Sequence, residues 1–271
     1  MDELVRHLAG RYSAGAESYK RYWLPLLAPM GEHLLDLLHW TDTKWLLDVG
    51  AGTGGLIPAL NQRSPSSRII GIDISRGMLA LAPRSTNVLY AQMDARQIAL
   101  RSELIDIALL AFVLFHYPDI RAGLQELMRA LRPGGAVGSA VFHTSPDFEA
   151  KKIWDAVLAE EVEKTDLNVV DLNAVDNTDA TNRAEKSKMF FNSAGFTEIR
   201  TTEKAYTYQW APDAYRAFRS GFGSSGEIFR SLPVGSQAYV VSVVQERFSR
   251  LPTSAFRYEP VVLYTTAKKP A

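Results

Sequence analysis

The chain has 271 residues, of which 46% are hydrophobic, so it can bury the core of one large domain or of one domain with a cap. Its 30 basic residues balance its 30 acidic residues, which argues against a protein whose main task is to grip RNA or DNA. The absence of cysteine excludes disulfides, thiolate metal sites, iron–sulfur clusters and a cysteine nucleophile.

The charged N-terminus, which begins Met1-Asp2-Glu3, lacks the apolar core of a signal peptide. No segment approaches the roughly 18 continuous apolar residues that a membrane-spanning helix needs. The longest apolar run, 107–115, is typical of a buried strand. We therefore expect a cytoplasmic protein that associates with neither membranes nor nucleic acid.

The first structural signal is a helical pattern over residues 17–40, which Pro25 and Pro29 are predicted to divide into two helices. Strand and helix signals then alternate, which predicts a doubly wound, mostly parallel sheet of the α/β class. In such sheets ligands bind at the carboxyl ends of the strands. The predicted strands are 45–49, 68–73, 87–91, 105–112 and 135–142, and the predicted helices lie near 54–63, 75–82, 95–99 and 119–131.

The second half of the chain continues with a charged helix over 147–164, a polar loop over 165–182 and a helix over 184–194. Strands are predicted at 196–209 and 256–267, which complete a seven-stranded Rossmann-like sheet. Between them, 212–250 is a helical insertion in which the glycine-rich stretch 221–226 is typical of a lid hinge. The predicted domains are cap helices over 1–40, a Rossmann-like domain over 41–210 and 251–271, and a helical cap over 211–250.

The most informative local feature is an apolar strand that ends at Asp48 and is followed by the glycine-rich turn 50–55. Glycines leave no Cβ between the backbone and a ligand, and the helix that follows adds free N–H groups. The string Gly50-x-Gly52-x-x-Gly55 also fits a dinucleotide-binding turn. However, Asp48, Asp73 and Asp94 follow three consecutive predicted strands, and three acids at strand tips suit a cationic nucleoside better than a pyrophosphate.

Five short motifs follow one another along the chain: residues 46–54 (LLDVGAGTG), 71–75 (GIDIS), 93–95 (MDA), 113–119 (VLFHYPD) and 131–135 (LRPGG). In this order and at this spacing they resemble the class I S-adenosylmethionine (SAM)-dependent methyltransferases, of the ubiquinone/menaquinone-biosynthesis type and its small-molecule relatives. The resemblance covers roughly residues 40–145 and implies a Rossmann-like fold with SAM as cofactor and S-adenosylhomocysteine as product.

The resemblance also implies a role for each matching position. The glycines shape the loop under the methionine part of the cofactor, Asp48 helps to orient that part, and Asp73 binds the ribose hydroxyls. The adenine lies between apolar side chains and is held by an acid and a neighbouring N–H, while the residues after the fourth strand line the methyl group. The implied cofactor residues are Asp48, Gly50, Gly52, Gly54, Asp73, Ile74, Met78, Asp94, Ala95, Ala111, Phe112 and Val113.

Methyl transfer needs a general base only when the nucleophile must lose a proton. His116, just beyond the fourth strand, is the best candidate, and His143, at the end of the fifth strand, is the second. Tyr12 and Tyr19 are predicted to contact cofactor or substrate from the N-terminal segment, and Tyr215 belongs to an aromatic-rich cap that suits an apolar or planar substrate.

The sequence thus predicts a SAM-dependent methyltransferase that acts on a small, aromatic or apolar metabolite, with an oxygen, carbon or nitrogen acceptor. Three alternatives stay open: an RNA or protein methyltransferase, a SAM-fold enzyme with non-methylating cyclase or isomerase chemistry, and a nicotinamide-dependent oxidoreductase. No compact cluster of histidine and acidic residues in the sequence suggests a metal site, and a monomer and a homodimer fit the sequence equally well.

Overall fold

The computed structural model describes residues 3–40, 42–165 and 177–271. Its main sheet has seven strands within this part of the chain, in the order β3-β2-β1-β4-β5-β9-β6. The strands β1 to β5 run parallel to one another, and β9 pairs antiparallel with both β5 and β6. The strands are β1 (Trp45–Val49), β2 (Arg68–Asp73), β3 (Val88–Gln92), β4 (Ile105–Ala111), β5 (Leu131–Thr144), β6 (Thr197–Ala205), β7 (Tyr208–Gln209), β8 (Arg257–Tyr258) and β9 (Val261–Lys268).

Helices cover both faces of this sheet. The α-helices are α1 (Glu3–Ala14), α2 (Ala16–Ser18), α3 (Leu24–Asp36), α4 (Ile57–Arg63), α5 (Arg76–Ala80), α6 (Ile120–Ala130), α7 (Glu149–Lys164), α8 (Thr178–Thr181), α9 (Ala184–Ser193), α10 (Pro212–Gly221), α11 (Gly223–Ser231) and α12 (Val234–Ser249). A π-helical turn (Tyr19–Trp23) precedes α3, and short 3₁₀ turns lie at Leu114–His116 and Thr253–Phe256. The predicted seven-stranded, mostly parallel α/β fold is confirmed.

The central strands β1 and β4 contribute side chains to two hydrophobic cores, one on each face of the sheet. Leu46 and Leu109 point into the core that contains α3, α4 and α7, whereas Leu47 and Leu110 point into the core that contains α6 and α9. Successive side chains alternate between the faces of a strand, so a strand that is covered on both sides reads as a continuous apolar run. The run 107–115 has this origin.

The N-terminal helices differ from the prediction, which divided residues 17–40 at the two prolines. Pro25 lies in the first turn of α3, where its missing N–H costs nothing, and Pro29 is accommodated inside the same helix. The breaks lie earlier, at Gly15 and at the π-helical turn. A separate helix, α1, precedes them and lies against α5 and α11.

Five other predicted elements also differ. Residues 95–99 are not helical, and β5 begins at Leu131, four residues before its predicted start at residue 135. The predicted strands at 196–209 and 256–267 are each divided into a long and a short piece. Residues 221–226, expected to be an irregular hinge, end α10 and begin α11. Residues 166–176 of the predicted polar loop lie outside the described residues.

Candidate cofactor and methyl-transfer site

A cavity of about 910 Å³, including its mouth, lies at the carboxyl ends of β1, β2, β3 and β4 and below the N-terminal helices. This is the edge of a parallel sheet at which ligands bind. Three residues predicted to contact substrate or act in catalysis, Tyr12, Tyr19 and His116, line the cavity. The predicted cofactor residues that line it are Gly50, Gly52, Asp73, Ile74, Met78, Asp94, Ala95, Ala111, Phe112 and Val113.

The floor of the cavity is the glycine turn after β1. Gly50 and Gly52 have φ of 71° and 55°, which side chains rarely tolerate. A Cβ at Gly50 would lie 2.5 Å from Val113 Cγ2, and one at Gly52 would lie 3.2 Å from Met78 Cε. The turn is fixed to β2 because the Gly50 and Ala51 N–H groups both donate to the Ile72 carbonyl, at 2.8 and 2.9 Å. The sequence therefore builds a rigid turn, called the cradle below, in which Gly50 and Gly52 have little space for a side chain.

Asp73, at the end of β2, is the best-defined acid of the site. Its Oδ2 accepts from the Gly52 N–H at 2.9 Å and its Oδ1 accepts from the Ser75 N–H at 2.7 Å. An ionised carboxylate has about four lone-pair positions, so both oxygens can accept a further bond from a diol. Burial raises the pKa of Asp73 to about 6, partly offset by these N–H donors.

Asp48 lies beneath the cradle rather than in the cavity lining. It is 2% exposed and lines a small adjoining space together with Tyr19, Gly50 and Phe112. Burial, followed by the nearby charge of Asp73, raises the pKa of Asp48 to about 7. The buried carboxylate of Asp48 and the partly buried one of Asp73 give the region, when they are ionised, a negative potential that favours a cationic ligand.

Asp94, after β3, lines the cavity and is held by a neighbouring cation. Arg96 Nη2 donates to Asp94 Oδ2 at 2.7 Å, and the Arg96 backbone N–H donates to Asp94 Oδ1 at 2.9 Å. Because the Arg96 side chain is only 22% exposed, this pair is a partly buried one with a fixed orientation. The acid thus presents a fixed edge to the end of the cavity that the resemblance assigns to adenine.

The His116 ring lies within hydrogen-bond distance of a tyrosine near the N-terminus. Tyr12 Oη lies 2.6 Å from His116 Nε2, and the two rings meet edge to face at 5.4 Å. The loop around His116 is fixed by Asn177, whose backbone N–H donates to the Phe115 carbonyl at 2.8 Å and whose Nδ2 donates to the Tyr117 carbonyl at 2.6 Å. Tyr12 and His116 therefore form a preorganised hydrogen-bonded pair beside the cofactor residues.

Residues 47–138 match the sequence model of a family described as "Methyltransferase domain". This part of the chain is similar to a methyltransferase domain. The resemblance to class I SAM-dependent enzymes is confirmed, and the spacing of the motifs from Gly50 to Gly135 falls inside the matched segment.

Curated proteins with similar sequences extend this finding. The chain is 31% identical over 157 residues to a malonyl-[acyl-carrier protein] O-methyltransferase of Hahella chejuensis. This match covers 55% of the present chain and 54% of that protein. The chain is also 32% identical over 117 residues to a demethylmenaquinone methyltransferase of Thermus thermophilus, in a match that covers 41% of this chain and 53% of that protein. The chain spans about half the length of the curated relatives it matches.

Among solved structures, the fold is similar to that of a Haemonchus contortus phosphoethanolamine N-methyltransferase in complex with S-adenosyl-L-methionine, with a TM-score of 0.52 and 18% identity. The match covers 90% of this chain and 53% of that one. At this identity the likeness is one of fold.

The cofactor of the methyltransferase domain is SAM, and the residues present fit it. Gly50 and Gly52 line the cavity without a side chain, and Asp73 has acceptor capacity for two ribose hydroxyls. Asp48 supplies negative charge below the cradle, as a ligand with an ammonium and a sulfonium group requires. Gly54 lies outside the cavity, and its φ of 73° and its closeness to Pro83 give it a part in shaping the turn instead.

Two of the predicted site residues, His143 and Tyr215, do not reach the cavity. His143 Nδ1 donates to the Asn182 carbonyl at 2.7 Å, so the ring is turned toward α8 and is not part of the lining. Tyr215 is 2% exposed and packs inside the cap against Phe148, at a ring distance of 5.0 Å. A position at the end of a strand or in an aromatic cap indicates that a residue is near a site. The direction of its side chain decides whether it reaches the ligand.

The structure also adds residues to the lining that the sequence did not single out. Phe112 and Phe142 lie 4.9 Å apart, and Trp23 stacks on Phe218 at 4.9 Å and 9°. Phe112 has a φ of 57°, a costly conformation for an aromatic residue that concentrates at functional sites. The sequence signal for Trp23 is the helical pattern of 17–40, which is typical of core packing as well. The added lining residues are Val5, Leu8, Trp23, Leu27, Val49, Ile72, Met93, Arg96, Phe115, Tyr117, Pro118 and Phe142.

The described residues show neither of two other features, a metal-binding cluster and a membrane-spanning helix. Over 3–40, 42–165 and 177–271, no group of three or more histidine and acidic side chains is arranged to hold a metal ion. Within the same ranges, every helix is too short or too polar to cross a membrane.

Proposed function

We propose that the chain transfers a methyl group from SAM to a small, uncharged acceptor that is aromatic or otherwise apolar over most of its surface. The observation that carries the proposal is the Tyr12–His116 pair at 2.6 Å, which shares one cavity with Asp73 and with an aromatic wall. Such a transfer requires a cofactor cradle and an apolar acceptor pocket, and a proton acceptor as well when the acceptor atom is a hydroxyl that must lose its proton.

Bound SAM supplies an electrophilic methyl group for in-line displacement. The protein holds the acceptor atom in line and excludes water, and the apolar side chains Leu27, Phe112 and Phe142 suit this task. With His116 Nε2 unprotonated, the Tyr12 hydroxyl donates to it, and the acceptor proton then passes to the Tyr12 oxygen as the tyrosine proton moves to His116. The charge then rests on the imidazolium, and the acceptor is left as the nucleophile.

The charges of the cavity favour a neutral acceptor over an anionic one. Among the described lining residues, the side chains with a full charge are Asp73, Asp94 and Arg96, and Arg96 is already paired with Asp94. A free carboxylate would therefore meet acids and no available arginine or lysine from this part of the chain. This supports an acceptor like a quinol or phenol in preference to the malonyl group named for the Hahella chejuensis relative.

The alternatives from the sequence make different predictions for the product. An RNA or protein methyltransferase needs a large substrate, and the even balance of 30 basic and 30 acidic residues supports a small one instead. A cyclase or isomerase would leave the mass of its substrate unchanged, whereas a methyltransferase replaces one hydrogen with a methyl group.

The test of cofactor identity is calorimetric titration with SAM, S-adenosylhomocysteine and NADH. We expect both sulfur nucleosides to bind the wild-type chain, and Asp73→Ala to weaken them about 10- to 100-fold through the loss of charge-assisted hydrogen bonds. Asp213→Ala, which removes an acid that is 86% exposed on α10, is the matched control and should bind as the wild type does. Binding of NADH in place of both nucleosides would overturn the proposal in favour of an oxidoreductase.

A further inference from the structure

Ser13, next to the tyrosine of the pair, connects the N-terminal helix to the cofactor side of the site. Ser13 Oγ lies 2.8 Å from Ser75 Oγ and accepts from the Gly77 N–H at 3.3 Å. Ser75 is fully buried and caps α5, since its Oγ accepts from the Met78 N–H at 3.2 Å. A residue of α1 is thereby hydrogen-bonded to the first turn of α5.

The two backbones touch at the same place. A Cβ at Gly77 would lie 2.8 Å from Ser13 Cα and 3.1 Å from the Ser13 carbonyl oxygen, so only glycine allows this approach. The next contact along the N-terminal segment is equally close, because a Cβ at Gly15 would lie 2.8 Å from Phe222 Cδ2. The end of α1 is therefore held on one side by α5 and on the other by the start of α11.

The connection leads directly to the acid that is assigned to the ribose. The Ser75 backbone N–H donates to Asp73 Oδ1 at 2.7 Å, and the Ser75 side chain meets Ser13. Tyr12, the neighbour of Ser13, meets His116 on the opposite wall. A short path of hydrogen bonds and one peptide unit thus joins Asp73 to the Tyr12–His116 pair.

We infer that Ser13 is a positioning residue, which holds the Tyr12 hydroxyl at His116 Nε2 by fastening helix α1 to the loop that carries the ribose acid. The inference rests on the proposed function, because it assigns Ser13 to the same site. Ser13 itself touches neither acceptor nor His116. Its effect is to set the distance between a residue from the N-terminal helix and a residue from the sheet, and errors of this kind are costly in catalysis.

The first test follows the His116 ring by ¹⁵N NMR, with its signals assigned by comparison with His116→Gln. The ¹⁵N shifts report which ring nitrogen carries the proton and whether the other accepts a hydrogen bond. Tyr12→Phe should move the Nε2 signal, and Ser13→Ala should move it in the same direction. Ser18→Ala removes a hydroxyl of the same segment, which donates to the Ala217 carbonyl at 3.5 Å, and should leave the signal at its wild-type position.

A second variant guards against a trivial loss of folding. Ser13→Cys keeps the small side chain and weakens its hydrogen bonds, so it should produce a smaller shift of the same sign. The inference is overturned if Ser13→Ala and Ser13→Cys keep the wild-type Nε2 signal while Tyr12→Phe changes it. It is equally overturned if Tyr12→Phe has no effect, since no contact would then exist for Ser13 to position.

The second test is kinetic. Ser13→Ala should lower kcat about 10-fold while the KM for the acceptor and the Kd for SAM change less than about 3-fold, because only the proton-transfer geometry is altered. A rise in KM or Kd with unchanged kcat would contradict a positioning role. The NMR result does not depend on turnover. A wild-type protein that shows the expected NMR pattern and transfers no methyl group would therefore refute the proposed function and leave the inference standing.

Discussion

The two halves of the cavity are built in different ways. The cofactor half, which we propose to hold SAM, is built at the carboxyl ends of four strands: most of its residues lie within 50–95, and Ala111, Phe112 and Val113 add to it at the end of β4. The acceptor half, which we propose to hold the substrate, combines Tyr12, Trp23, His116 and Phe142 from separate helices, turns and strands. A local turn fixes the first kind of group, whereas only tertiary packing fixes the second. The cofactor half therefore withstands changes elsewhere in the chain, and the acceptor half depends on how α1 and the cap sit on the sheet.

The largest effect is expected from Gly50→Ala, which distorts the glycine turn that forms the cradle of the cofactor half. The new Cβ would meet Val113 at 2.5 Å and force a φ of 71° on a residue that disfavours it, so SAM binding should be lost by calorimetry. Gly235→Ala, in α12 with open space around its Cβ, is the matched control and should bind SAM normally. Wild-type affinity in Gly50→Ala would show that the turn does not carry the cofactor.

The second-largest effect should alter the acceptor half of the cavity and leave the cofactor half unchanged. Tyr12→Phe should lower kcat about 100-fold, the range for loss of general acid–base assistance, while the Kd for SAM stays at its wild-type value. Steady-state kinetics and calorimetry on the same preparation measure both quantities. Tyr239→Phe, which alters a tyrosine that is 48% exposed on α12, provides the control. An equal loss of SAM affinity in Tyr12→Phe would mean that the halves are not separable.

A smaller effect is expected at the aromatic wall. Trp23→Leu removes a ring that lines the cavity and stacks on Phe218, and it should raise the KM for an aromatic acceptor about 10-fold through lost stacking and apolar contact. The Kd for SAM should not change. Trp45→Leu, at the opposite end of β1, controls for the loss of an indole. Unchanged KM in Trp23→Leu would exclude this wall from the acceptor pocket.

The smallest effect is a pH dependence of cofactor binding. Burial raises the pKa of Asp48 to about 7 and that of Asp73 to about 6, so both are partly protonated below neutrality. A cationic ligand favours the ionised forms, and SAM affinity should therefore rise about 10-fold between pH 5.5 and 7.5. Calorimetry across this range measures it. A flat profile would show that neither acid faces the cofactor charge.

The stability of the ligand-free protein should change with pH in the opposite direction to the SAM affinity, because it should fall as the pH rises. Because both acids have a higher pKa in the folded state than in the unfolded chain, the folded state binds more protons between about pH 4 and 7. The stabilisation from this source is complete below the unfolded pKa and is lost as the pH rises through the folded pKa. The increase in Tm that SAM produces should consequently be larger at pH 7.5 than at pH 5.5.

The sequence predicted the fold order and the cofactor half because those features are local. An acid after an apolar run, glycines in the following turn and a regular alternation of strands and helices are all visible without tertiary contacts. The positions of Gly50, Asp73 and Asp94 around one cavity follow from that alternation alone.

The acceptor half was less predictable for a physical reason. His143 and Tyr215 satisfy the sequence criteria, but one ring donates to the Asn182 carbonyl and the other is buried in the cap. Trp23 has the same helical spacing as core residues that contact no cavity. The pairing of Tyr12 with His116, which are 104 residues apart, is set by the packing of α1 on α5 and α11, for which no local pattern exists.

The measurement that tests the account most directly is product mass after incubation with SAM and a panel of neutral phenols and quinols, with a malonyl thioester as the anionic comparison. We predict that a neutral acceptor gains one methyl group in place of hydrogen and that Tyr12→Phe suppresses the product strongly. Methylation of the malonyl thioester alone, or a product formed equally well by Tyr12→Phe, would contradict the account.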